Sequence, residues 1–128
     1  MGNVYMRAFK EGPEITPEPF SNPPFDPQLG FPNGRKPRVM TVSAAEMDAV
    51  QLQPGERNYC AEYHIAVKVC HQKWPHFMGW KCHHERHAVT GCLEEDYKLR
   101  MMEWERERRL RIRQKRMDAK KAAAEAED

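Results

Sequence analysis

Apolar residues follow three different rhythms along this chain. In the first forty positions they alternate with proline: Phe20, Phe25, Leu29 and Phe31 stand among Pro13, Pro17, Pro19, Pro23, Pro24, Pro27, Pro32 and Pro37. Proline fixes φ and pushes its predecessor towards extended backbone, which excludes a helix or a sheet interior here. A solvating linker rarely carries three phenylalanines in so short a span. Residues 1–42 are therefore expected to form an extended strap that lays Phe25 and Phe31 onto another surface. Next, Ser43 with Glu46 three positions on is the capping-box pattern, and it predicts a short helix within 43–53, stopped by Pro54-Gly55.

The middle of the chain reads as two helices, 56–72 and about 77–92, separated by Trp74-Pro75. From Leu93 to about Lys121 runs a long, heavily charged third pattern. Gly91 lies just before it, and a glycine inside a helix costs about 1 kcal/mol relative to alanine. Either the second helix kinks there, or a small residue is required where two backbones approach. The expected divisions are a hairpin over 56–96 and a charged helix with a frayed tail over 97–128.

The four cysteines are the most specific signal. Cys60 and Cys70 enclose nine residues, and so do Cys82 and Cys92. Ten helical steps leave the members of a pair within roughly 80° of one face and ~15 Å apart along the axis. A disulfide needs Cα atoms about 4.4–6.8 Å apart, so pairing within a helix fails. A parallel arrangement would need a return connection that the short link containing Pro75 could only just supply. The antiparallel hairpin joins Cys70 to Cys82 near the turn and Cys60 to Cys92 at the open end. Zinc fits poorly, because structural ligands sit about two to four residues apart within a pair. His83 and His87 could chelate a metal, but no third ligand is implied.

Composition explains why staples are needed. Leu, Ile, Val and Phe number 20 of 128 residues, below the share found in a chain with an ordinary core. Two short helices bury too little to offset their own ordering entropy. Disulfides persist in oxidising compartments, yet the first thirty residues carry neither the apolar core of a secretory signal nor an arginine-rich transit helix. The mitochondrial intermembrane space reconciles both facts. No stretch approaches the length of apolar sequence that spans a membrane.

Twin C-x9-C helices resemble the coiled-coil-helix-coiled-coil-helix (CHCH) family. Within it, Phe25-Asp26-Pro27-Gln28-Leu29-Gly30-Phe31, Arg35-Lys36-Pro37-Arg38-Val39-Met40, Tyr59-Cys60-Ala61 and the run from Arg100 to Leu110 resemble the subunit 7 family of the NADH dehydrogenase (ubiquinone) 1 beta subcomplex. The resemblance implies a non-catalytic accessory subunit of respiratory complex I, peripheral on the intermembrane-space side of the mitochondrial inner membrane. It implies other membrane-arm subunits as partners. It also implies transient contact with a disulfide-relay import oxidoreductase through Tyr63 and Val67 beside Cys60 and Cys70. N-myristoylation at Gly2 is a further implication, although Met6 stands where Ser or Thr is preferred.

Charge adds an interaction surface. Net charge is only +2, but the segment Lys98–Lys121 holds 11 basic and 4 acidic residues. Glu105 precedes Arg109 by four positions and Glu107 precedes Arg111 likewise, the favourable order for intrahelical pairs. Tyr97, Met101, Trp104, Arg108 and Ile112 share one helical face, which is expected to lie along a partner or meet anionic headgroups. Ala61, Ile65 and Val69 make a second stripe, open to a partner or covered by the strap. Nucleic-acid binding is disfavoured, because no dimerising heptad or base-reading set accompanies the basic run. The chain presents no reactive C-x-x-C, phosphate loop or nucleophile elbow. The expectation is an all-α, disulfide-stapled antiparallel hairpin with no catalytic, cofactor or metal site. The alternative is a soluble intermembrane-space assembly factor or chaperone of the same type.

Overall fold

The computed structural model describes residues 9–18 and 21–128, and every regular element among them is helical. Residues 9–11 are helical, and three further α-helices follow in order: α1, Ala44–Ala49; α2, Ala61–Lys73; and α3, His83–Glu127. Single 3-10 turns cover Pro13–Ile15 and Pro54–Glu56, and two short 3-10 pieces that meet at a kink at Met78 cover His76–Cys82. Among the described residues no helix is long and apolar enough to cross a membrane.

α1 forms as its cap predicts. Ser43 has extended backbone and its hydroxyl accepts from the Glu46 amide at 3.3 Å. The helix is short because the chain turns at Gln51, a non-glycine residue with φ +53°, held there by a backbone bond from Leu52 N to Met47 O at 3.0 Å.

Both hairpin helices begin later than the sequence pattern suggests. α2 starts at Ala61 instead of 56, because the intervening backbone is bonded locally. The Gln53 amide donates to the Glu56 carboxylate at 3.1 Å, and the Cys60 amide donates to the Asn58 side-chain oxygen at 2.9 Å. Such side-chain bonds offer the backbone an alternative to helix. α3 starts at His83 instead of 77. The preceding turn is 3-10, with Met78 at φ −100°, ψ 35°.

The charged third pattern is not a separate helix. α3 runs unbroken from His83 to Glu127. Gly91 therefore marks no break, and a Cβ built on it would meet nothing within 4 Å among the described residues. Neither reading offered by the sequence, a kink or a close backbone approach, explains this glycine.

Two compact units result. Residues 36–99 make one; the described part of 1–35 together with 100–128 makes the other. The first is built on a very small core of Val42, Met47, Leu52 and Ala61, with Val50 and Ile65 packed against it. In the second, residues 26–35 are not extended as the prolines suggest. They form successive turns, with Leu29 N bonded to Asp26 O (3.1 Å), Phe31 N to Gln28 O (3.0 Å) and Gly34 N to Phe31 O (2.9 Å). Gly30 and Gly34 supply the positive φ angles, +87° and +71°, that such tight reversal demands.

Candidate functional site

The hairpin unit carries the covalent chemistry. Cys60 is bonded to Cys92 and Cys70 to Cys82, with Cα separations of 5.9 and 5.8 Å. This is the antiparallel pairing that the spacing predicts. Cys60 caps the start of α2 while Cys70 lies in its last turn. Cys82 closes the 3-10 turn just before α3, and Cys92 lies ten residues further on. Cys60, Cys70 and Cys82 are buried. No cysteine is free, so the chain has no thiolate to act as nucleophile or redox partner while both bridges stand. The Cys70 and Cys82 sulfurs do lie within 4.8 Å of a Glu85 carboxylate oxygen. Sulfurs bonded to each other are not thiolates, so this donor set does not fit a zinc ion. His83 and His87 stack at 6.0 Å between ring centroids, one turn apart.

Arg38 locks the open end of the hairpin. Its guanidinium lies 2.8 Å from the Asp96 carboxylate and 3.8 Å above the Tyr59 ring. Tyr59 adjoins Cys60, and Asp96 lies one turn beyond Cys92, so the pair and the bridge secure the same end. On α2, Lys68 donates to the Gln51 carbonyl at 2.7 Å and lies 3.7 Å from Glu56. Thr41 donates to Glu62 at 3.3 Å.

The second unit is held by arginines. Arg106 donates to the carbonyls of Asp26 and Leu29 at 2.9 and 2.7 Å. Phe31 carries two guanidinium groups on its ring, Arg35 at 4.5 Å and Arg106 at 5.5 Å. Arg35 also pairs with Glu103, with its second nitrogen at 3.2 Å from the other carboxylate oxygen. That bond holds the Glu103 carboxyl below the usual glutamate range. Lys115 does the same for Glu14. Arg108 donates to Glu11 at 2.8 and 3.0 Å, which raises its already high pKa.

The residues singled out in the sequence divide accordingly. Glu105–Arg109 and Glu107–Arg111 pair at 3.2 and 2.8 Å as the spacing predicts. Tyr97 and Met101 are exposed, whereas Trp104, Arg108 and Ile112 are half-buried. Arg108 is engaged by Glu11 and Glu105 of its own chain. Ala61 and Ile65 face the chain's own small core, covered by residues 42–52. Val69 is left 53% exposed. Phe25 is half-buried beside Glu14, Arg111 and Lys115, and Phe31 lies under its two arginines. Gly2 and Phe20 lie outside the described residues. Arg35, Arg38 and Arg106 stand in the motifs that carry the resemblance, but sequence reasoning gave them no contacts; nothing local marks an arginine whose partner is tens of residues away.

Comparison with known proteins gives this arrangement a family. Residues 41–104, which include both disulfides and the Asp96 carboxylate, match the family model described as NADH-ubiquinone oxidoreductase B18 subunit (NDUFB7). NADH dehydrogenase [ubiquinone] 1 beta subcomplex subunit 7 of Mus musculus is 42% identical over 123 residues, covering 95% of this chain and 88% of the relative. The protein of that name from Caenorhabditis elegans is 41% identical over 107 residues, covering 84% and 87%. One from Arabidopsis thaliana is 32% identical over 65 residues, covering 51% and 62%. Four cysteines closed into two bridges, the buried carboxylate beside them and this similarity together place the chain in the NADH-ubiquinone oxidoreductase B18 subunit family.

Proposed function

We propose that this chain is a non-catalytic accessory subunit of mitochondrial NADH:ubiquinone oxidoreductase, complex I. It sits peripherally on the intermembrane-space side of the inner membrane and clamps neighbouring subunits of the membrane arm, supporting assembly of the complex. The observation that carries the reading is the doubly bridged hairpin in a chain of this family. Its small core needs oxidised cysteines to persist, and oxidised cysteines need an oxidising compartment. All four sulfurs are used in structure, which leaves the hairpin to act by shape and surface. The surface suits that role: Val69, Tyr97 and Met101 are exposed apolar groups on two of its helices, of the kind that interfaces cover. Import would run through the disulfide-relay oxidoreductase, with Tyr63 and Val67 flanking the bridge-forming cysteines.

The test is solubilisation of mitochondria in mild detergent, followed by native separation and a non-reducing peptide map. A structural subunit co-migrates with the holoenzyme in constant ratio, with Cys60–Cys92 and Cys70–Cys82 peptides linked. Migration apart from the holoenzyme would assign the chain to the assembly factors instead. Reduced thiols in the native complex would remove the intermembrane-space placement.

A further inference from the structure

The turn between α2 and α3 has a surface that the subunit role leaves unused. Over residues 63–84 there is no aspartate or glutamate, in a chain that holds 19. Within it, residues 71–84 contain Lys73 and Lys81, four histidines at 71, 76, 83 and 84, and the aromatic side chains of Trp74, Phe77 and Trp80. Phe77 is 77% exposed and Trp80 63% exposed. Lys73 and Lys81 hold their ammonium groups 5.9 and 5.3 Å from the Trp74 ring, and neither forms an ion pair among the described residues.

Exposure here is built in and not a product of slack. The Cys70–Cys82 bridge closes the turn at its base. Arg86 donates to the Gly79 carbonyl at 2.7 Å and ties the turn to α3. The Met78 amide donates to the Pro75 carbonyl at 2.9 Å. Two large aromatics are thus presented outwards on a fastened loop that bears two lysines and no carboxylate of its own, while the half-buried Glu85 carboxylate lies at the Cys70–Cys82 bridge at its base.

We propose that this turn seats in the headgroup layer of an anionic bilayer. Tryptophan favours the membrane–water interface, where an apolar ring and a polar N–H are both accommodated. Lysines beside it gain from the negative surface potential. A protein partner would be expected to answer solvent-facing lysines with carboxylates at one defined angle; a lipid surface needs only the aromatic-plus-basic tip that is present. The inference rests on the surface chemistry of residues 73–84 and not on membership of a complex.

Vesicle binding of the full-length, oxidised chain tests it. In a variant with Trp74→Phe and Trp104→Phe, Trp80 is the sole tryptophan and is excited selectively at the red edge of its absorption. Its emission should shift to the blue and be quenched by brominated phosphatidylcholine in vesicles that also contain cardiolipin, and not in phosphatidylcholine alone. Phe77→Ala with Trp80→Ala should lower the partition coefficient of the otherwise natural chain about tenfold. Lys73→Gln with Lys81→Gln should lower it about thirtyfold at low salt. Circular dichroism should report unchanged helix for each variant. Failure to bind cardiolipin vesicles overturns the proposal, and so does binding that leaves Trp80 unquenched and survives both double substitutions. In the second case the basic residues of α3 carry the attachment. Co-migration with the holoenzyme is measured separately, so loss of the lipid contact would not count against the subunit reading.

Discussion

The guanidinium of Arg38 and the carboxylate of Asp96 stand 2.8 Å apart, although the two residues are 58 positions apart in sequence. Asp96 is only 6% exposed, so its charge is tolerated because that cation is there. Arg38→Ala takes this cation from the buried carboxylate and removes the stack on Tyr59. Thermal unfolding of the oxidised chain should show a loss of about 1–2 kcal/mol, below the value for a wholly buried pair because Arg38 faces solvent in part. Asp96→Asn with Arg38→Ala should recover some of that loss in a double-mutant cycle. Additive effects would show that the two side chains do not depend on each other.

The two bridges should differ in what they contribute. The Cys60–Cys92 loop spans 32 residues and the Cys70–Cys82 loop 12. In the chain-entropy model these closures are worth about 3.7 and 2.8 kcal/mol. Cys60→Ala with Cys92→Ala is therefore expected to destabilise more than Cys70→Ala with Cys82→Ala, by about 1 kcal/mol. Denaturant titration followed by circular dichroism measures the difference. An equal or reversed order would mean that the turn, not the open end, limits the hairpin.

Acid should loosen residues 26–35. Arg35 holds the Glu103 carboxyl below its ordinary range in the folded chain. A carboxyl lowered on folding contributes stability that is complete above its unfolded-state pKa and disappears as pH falls through the lower folded-state value. The contribution should thus be intact at neutral pH and vanish below the usual glutamate titration. Carbon-detected NMR titration of Glu103 should show a midpoint beneath that of an exposed glutamate. Glu103→Gln should flatten the acid limb of stability against pH, and an unchanged limb would remove the pair from the account.

Gly91 should accept a side chain. It lies inside α3, and a Cβ there meets nothing within 4 Å among the described residues. Gly91→Ala is expected to stabilise the isolated chain by about 1 kcal/mol, the difference in helix propensity. Melting temperature reports this directly. If the same variant incorporates poorly into the complex, the glycine is kept for a neighbouring subunit's approach.

Several features could be read from local pattern. Ser43 and Glu46 announced α1, although it ends at Ala49, short of Pro54-Gly55, and the Glu105–Arg109 and Glu107–Arg111 pairs followed from helical spacing alone. Helix starts were less legible. Asn58 and the 3-10 turn at His76–Cys82 took residues from both hairpin helices, because side-chain bonds and a disulfide at the turn outweigh weak propensities.

Taken by itself, the order of residues determined the all-helical class and pointed to the disulfide partners. Nine intervening residues and a fixed rise per residue exclude pairing within a helix, and the short link containing Pro75 favours the antiparallel order. Tertiary structure alone decided that residues 26–35 coil into turns, that Ile65 turns inward while Val69 does not, and that Arg35, Arg38, Arg106 and Arg108 tie the amino-terminal part to residues of α3. Those outcomes depend on charges and carbonyls that meet only after the chain has folded. An arginine's long, flexible side chain gives no periodic sign of where it will reach.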